Sequence, residues 1–166
     1  SALMDYCPMM IYFGQELGER GMDAEGYSGR DGRTTIYDYW TVDTVSRWRN
    51  GGKFNDKKLT GDEKRLREFY ARVLALRESM PVLRSGHFYD LMYVNRHLHR
   101  QYVFVRQLEK QVLLVIANFD DQEANLSIHL PEEFFRFIGQ KGQTEVRALD
   151  LLSEEETQVD FTPDRP

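Results

Sequence analysis

Gln15 and Glu16, an amide beside a carboxylate, follow directly on the run from Pro8 to Phe13 and the glycine at position 14. That run, Pro-Met-Met-Ile-Tyr-Phe, has the length and apolar character of a short strand, and it stops at Gly14. A strand that empties onto polar side chains at its C-terminal end is how a barrel presents residues to its functional face. There, Gln15 and Glu16 can orient loops or reacting side chains through hydrogen bonds. They can equally bond backbone amides around a tight turn, and both readings stand. Direct catalysis by Glu16 is the weaker reading, because acid–base work needs a partner group and none can be assigned.

A second constellation is Arg30-Asp-Gly-Arg33, followed by Tyr37, Asp38, Tyr39 and Trp40. Flat aromatic faces beside planar groups such as Arg and Asp suit a sugar-binding rim. A loop packed on a core explains the same residues one by one, so for the cluster both readings are kept. Asp23, Glu25 and Asp31 lie in a glycine-rich run, but they lack the alternate ligands and terminal Glu of a calcium loop. A solvated loop is expected there. His97 and His99 would share one face of a strand, and Asn95, Arg96 and Arg100 around them indicate an exposed hairpin rather than a metal site. Cys7 is the single cysteine, which rules out an internal disulfide, and no Cys/His spacing fits zinc. Asn125-Leu-Ser127 matches a glycosylation acceptor, a pattern too short to weigh heavily. No catalytic residue, metal or cofactor is expected.

The composition bounds the partners. At 166 residues, with 41% hydrophobic and 30% charged, the chain is long enough and apolar enough for an ordinary globular core. A net charge of −5 supplies no basic stripe for a phosphate backbone, so nucleic acid is not an expected partner. The longest apolar runs, at residues 9–13 and 112–117, are far too short to cross a bilayer, so no membrane partner is expected either. The compartment stays open.

Three textures position these residues. Residues 17–58 are rich in glycine and charge and read as a long loop, in which Tyr37, Tyr39, Trp40 and Trp48 argue for packing rather than disorder. A helix is expected over residues 62–80, opened by a capping box of Thr60 and Glu63 and stopped by Pro81. Leu66, Phe69, Tyr70, Val73, Leu74, Arg77 and Met80 form its apolar stripe. From Gly86 the period switches to two. Strands are expected at 87–94, 101–108, 111–118, 124–130, 145–151 and 157–161, with Glu109-Lys110 as a tight hairpin turn and 131–138 as a short helix. The run 112–117, apolar throughout, should be a central strand buried on both faces.

Four blocks in this order resemble the C-terminal end of the alpha-amylase family of glycoside hydrolases. Pro8 to Glu16 is similar to the family's last barrel-strand block. Leu74-Ala-Leu-Arg77, with Met80-Pro-Val-Leu83 and Gly86, is similar to the end of its last barrel helix. Tyr102 to Arg106 and Leu114 to Phe119 resemble the hairpin that opens the small β-domain called domain C. Tyr6 stands where the family usually has glycine, and the family's closing strand would follow the run 157–161.

The resemblance implies an α+β fragment, in which one strand, a long loop and one helix from a truncated (β/α)8 TIM barrel (residues 1–83) precede a domain C-like antiparallel β-sandwich (residues 84–166). It implies that the nucleophilic Asp, the acid/base Glu and the third Asp lie on earlier barrel strands. Retaining glycosidases hold two carboxyl groups about 5–5.5 Å apart, and no pair here answers to that. Gln15, Glu16, Arg33, Tyr37, Tyr39 and Trp40 would be supporting or substrate-cleft residues. The implied partners are an alpha-glucan or oligosaccharide, met through the parent enzyme, and the missing barrel residues of the same polypeptide. An uncovered strand is also a template for association, so Pro8 to Phe13 is expected to be disordered, swapped onto another copy, or paired through self-association. The implied role is that of the C-terminal portion of an alpha-glucan-acting hydrolase or transglycosidase. Two alternatives stay open: a stand-alone carbohydrate-binding or structural β-module, and a non-catalytic family member acting as a partner subunit.

Overall fold

The computed structural model of the protein describes residues 2–20 and 42–163. Arg33, Tyr37, Tyr39 and Trp40 lie outside the described residues, as do Asp23, Glu25, Arg30, Asp31 and Asp38. The architecture is α+β, with an antiparallel three-stranded sheet and a second, two-stranded antiparallel sheet. The chain divides into two compact units: Ser1–Cys7 with Ala75–Pro166, and Pro8–Leu74. Residues 75–83 thus group with the strands.

In the Pro8–Leu74 unit, helix α1 (Asp43–Arg49) lies within the stretch read as a long loop. Asp43 in its first turn and Arg47 and Arg49 in its last complement the helix dipole, and Asn50 ends it in the left-handed region at φ 43°. Helix α2 (Gly61–Ser79) starts as expected: Thr60 N–H donates to Glu63 Oε2 at 2.8 Å, and Glu63 N–H donates to Thr60 Oγ1 at 3.3 Å. Its stripe is the expected one except at Phe69. Leu66, Tyr70, Val73, Leu74, Arg77 and Met80 are half-buried, but Phe69 is 51% exposed. Leu17, Val42, Val45 and Leu59 form the core of this unit, with Phe13 and Trp48 against it. The strand expected from Pro8 to Phe13 is not formed. Among the described residues, the strand pairings all lie within residues 87–161.

In the other unit, Pro81 both ends α2 and opens a short helix, α3 (Pro81–Ser85), which the sequence reading did not foresee. Strands β1 (His87–Asp90), β2 (Gln101–Leu108) and β3 (Gln111–Asn118) follow in the order β1-β2-β3. Leu108 pairs with Gln111 across the Glu109-Lys110 turn, where Glu109 takes φ 53°. The central strand is β2, buried from Val103 to Arg106; β3, expected at the centre, is at the edge. Gly86 lets α3 and β2 approach, since a Cβ there would sit 2.3 Å from Val82 O and 2.9 Å from Gln107 O.

Helix α4 (Glu132–Ile138) and strands β4 (Gln143–Leu149) and β5 (Glu156–Phe161) complete the unit. Phe134, fully buried, packs between Tyr89 at 5.6 Å and Phe161 at 5.7 Å. No strand is assigned over residues 124–130, although Leu126, Ile128 and Leu130 alternate onto the core as expected. A side chain stands where a neighbouring strand would. The fully buried Asn95 accepts from His129 N–H at 2.7 Å and donates Nδ2–H to His129 O at 3.1 Å.

Candidate functional site

The turn after Phe13 is built by two glycines. Gly14 (φ 75°) and Gly18 (φ 76°) are both left-handed and bracket the single 3₁₀ turn Gln15–Leu17. A Cβ on Gly14 would also meet Glu19 Cβ at 2.8 Å. Leu17 N–H and Glu19 N–H both donate to Gly14 O, at 2.9 and 3.0 Å. Gln15 donates its N–H to Tyr12 O at 3.0 Å, and its exposed side chain accepts from Tyr12 N–H at 3.1 Å. That amide therefore fastens the turn's own backbone. Leu17 enters the core, and Glu16 lines a cleft.

The cleft has a volume of about 380 Å³ and lies wholly within the Pro8–Leu74 unit. Tyr12, Phe13, Trp48 and Tyr70 give it aromatic walls, and Glu16 and Arg67 are its charged groups among the described residues. Helix α2 contributes Arg67, Tyr70, Ala71 and Leu74, at the i, i+3, i+4, i+7 spacing of one helical face. Trp48 comes from the last turn of α1 and meets Phe54 edge-on at 5.2 Å. Phe54 is 58% exposed and held at φ 48°, a rare setting for a bulky side chain.

A partly buried ion pair joins the two helices that wall the cleft. Arg47 of α1 donates Nε–H to Glu63 Oε1 at 3.0 Å and Nη2–H to the same oxygen at 2.5 Å. Glu63 is 7% exposed. Burial pushes its carboxyl up, but the hydrogen bonds from Arg47 and from Thr60 N–H outweigh that and hold it below its ordinary value. Thr44 Oγ1–H donates to Glu19 Oε2 at 2.6 Å on the same side of α1. Glu63 is committed to this pair and to the cap of α2, so Glu16 is the only carboxylate that the described residues bring to the cleft.

This arrangement can hold a flat, partly apolar ligand against its rings, with a carboxylate and a guanidinium to take its hydroxyl groups. Among the described residues the cleft lining holds no second carboxylate beside Glu16. Tyr70 was expected on the apolar stripe of α2, and Arg67 was not singled out. The 67/70/71/74 spacing was visible, but Arg67 at its end disguised it. Trp48 had been grouped with the loop aromatics.

The other sequence candidates lie elsewhere. His97 is exposed, its Nε2 lies 3.1 Å from Ser127 O, and its ring meets His129 edge-on at 5.2 Å. The Cys7 thiol is exposed and raised by its hydrogen bond to Asp5. Among the described residues no cluster of His, Cys, Asp or Glu could hold a metal ion, and no helix is long and apolar enough to cross a membrane. Comparison with protein-family models, with curated proteins and with solved structures finds no match to this chain.

Proposed function

We propose that this chain is the C-terminal portion of an alpha-glucan-acting hydrolase or transglycosidase of the alpha-amylase type. In this reading it carries a domain C-like β-sandwich and leaves the catalytic carboxylates to other parts of the parent protein. One observation carries the proposal: the Gly14–Gly18 turn, directly after the Pro8 to Phe13 block, sets Glu16 in an aromatic cleft beside Trp48, Tyr70 and Arg67. Rings with one carboxylate and one guanidinium are the chemistry of a glucan-facing surface rather than of a reaction centre. The order of the parts supports the same reading: the turn, the capped helix ending at Pro81, the β2–β3 hairpin and the second sheet. The strand that the family pattern places at residues 8–13 is then one that its barrel neighbours would complete.

Two measurements test this. The purified 166-residue chain should show no turnover of starch, maltodextrin or a chromogenic alpha-glucoside. Turnover that disappears in Glu16→Gln would overturn the assignment. The coding sequence upstream of Ser1 should place Asp and Glu residues at the ends of strand-like apolar runs, and a reading frame without them would also refute it.

A further inference from the structure

Strand β3 carries apolar side chains on both faces, the pattern of a strand with neighbours on either side. Among the described residues it is paired on one side only, with β2. The two-residue turn makes Leu108 and Gln111 the closing hydrogen-bonded pair, so Leu113, Val115 and Ala117 bond to β2. Val112, Leu114 and Ile116 therefore direct their N–H and C=O groups outward. The bond from Leu91 N–H to Val103 O at 3.2 Å, on the far side of β2, has the same phase. Among the described residues nothing is bonded to those outward groups. On the same three residues, Leu114 is 42% exposed and Ile116 48%, on the face where Val112 touches the core. An open edge of this length and apolarity is a template for strand addition.

We propose that β3 pairs with β3 of a second copy, antiparallel, about a two-fold axis through Leu114. Self-complementarity of the edge selects this occupant, and charge together with length of overlap selects this register. An axis at Leu113 also aligns the outward groups but pairs only residues 111–115. Residues 111–118 carry no charge, so self-pairing sets no like charges against each other along the strand. With Leu114 on the axis, Leu114 faces the partner's Leu114, Val112 faces the partner's Ile116, and Lys110 faces the partner's Asn118. Each outward N–H of Val112, Leu114 and Ile116 then meets an outward C=O of this same set, while Lys110 O also accepts from Gln140 Nε2 at 3.4 Å. A slip of one residue sets outward groups against inward ones. Moving the axis to Val115 restores the hydrogen bonds but brings Glu109 opposite the partner's Asp121. The pairing extends the three-stranded sheet into a continuous six-stranded one and covers Leu114 and Ile116. The inference does not depend on the function proposed above, nor on the expected association through Pro8 to Phe13.

Sedimentation velocity across about 1–100 µM tests it, since an interface this small belongs to the weak class. Wild-type protein should pass from monomer to dimer over that range. Leu114→Lys and Leu114→Glu should each stay monomeric with an unchanged melting temperature, and an equimolar mixture of the two should dimerise again, because the two side chains meet across the axis. Three results would overturn the proposal: a wild type that stays monomeric at the highest concentration, a dimer unaffected by Leu114→Lys, or a mixture that fails to recover. A dimer lost in Met10→Lys but kept in Leu114→Lys would move the interface to the Pro8 to Phe13 segment. A monomer that binds a synthetic peptide of residues 111–118 would give the edge to a different strand.

Discussion

Replacing Asn95 should damage the β-region through the hydrogen bonds of a single buried side chain. Its side chain is fully buried and makes three hydrogen bonds: Nδ2–H to Leu91 O at 2.8 Å, Nδ2–H to His129 O at 3.1 Å, and Oδ1 from His129 N–H at 2.7 Å. Leu91 O keeps a second donor in Asn95 N–H at 3.2 Å, so Asn95→Ala strips mainly the two His129 backbone groups and opens a small void. At roughly 1–3 kcal/mol per buried group left unmade, and with partial access to water at His129, the loss should be about 2–4 kcal/mol. Asn95→Asp removes both donors and aims a carboxylate at two carbonyl oxygens, so at pH 7 it should cost more than alanine. Such a carboxyl has its pKa raised on folding. Its neutral form is tolerated below the unfolded value near 3.9, and stability falls as pH rises through and above it. Urea unfolding followed by far-UV circular dichroism gives the free energies, and amide exchange at His129 reports the local effect. If Asn95→Ala lost less than about 1 kcal/mol, or if Asn95→Asp matched it at both pH 7 and pH 3, the side chain would not be standing in for a strand.

Two further variants probe the Pro8–Leu74 unit. Glu63→Gln should cost about 1–2 kcal/mol at pH 7, a value kept modest because the Arg47 side chain is 34% exposed and can turn to water. The Glu63 carboxyl is held below its ordinary value of 4.5, so its contribution is complete above that pH and is lost as pH falls through the folded value. The gap in melting temperature between wild type and Glu63→Gln should therefore close in acid, and a constant gap down to pH 2.5 would rule out the ionised pair. Leu66→Asp should cost several kcal/mol, whereas Phe69→Asp should stay within about 0.5 kcal/mol, because Phe69 is 51% exposed. Equal shifts in the two melting temperatures would return Phe69 to the packed face.

The features readable from the sequence are those whose causes are local. The Thr60/Glu63 cap, the stop at Pro81, the Glu109-Lys110 turn and the short helix after Pro131 each depend on residues a few positions apart. Helix α1 shows how such signals can be hidden. Asp43, Arg47 and Arg49 fit its dipole, yet only seven residues separate Val42 from Asn50, and the surrounding glycines carry the texture of a loop. The cleft was less legible for a different reason. Gln15 and Glu16 could be singled out by their place after an apolar run, but Trp48, Arg67 and Tyr70 reach the same cleft from two helices distant in sequence. No pattern within one segment encodes that meeting.

Arg106 shows why burial in the sheet was misjudged. A charged residue in an apolar run reads as a wet face, and so β3, without charge, looked more central than β2. Yet Arg106 is only 1% exposed and is the largest fully buried side chain described. Its guanidinium donates to Met4 O at 2.7 Å, Leu83 O at 3.3 Å and Val82 O at 3.4 Å. Val82 and Leu83 belong to α3, where Val82 O also accepts from the capping Gly86 N–H at 3.1 Å. A cation there bonds both carbonyls and sits at the negative end of the helix. Burial pushes the guanidinium's pKa down while Asp5 opposes the shift. Arg77 acts likewise on the same N-terminal segment, donating to Ala2 O and to Cys7 O at 2.7 Å. The central strand is therefore marked by a cation whose partners are backbone carbonyls. Its charge in the sequence signals a docking point for α3 and residues 2–7, and the strand without any charge is the one left at the edge.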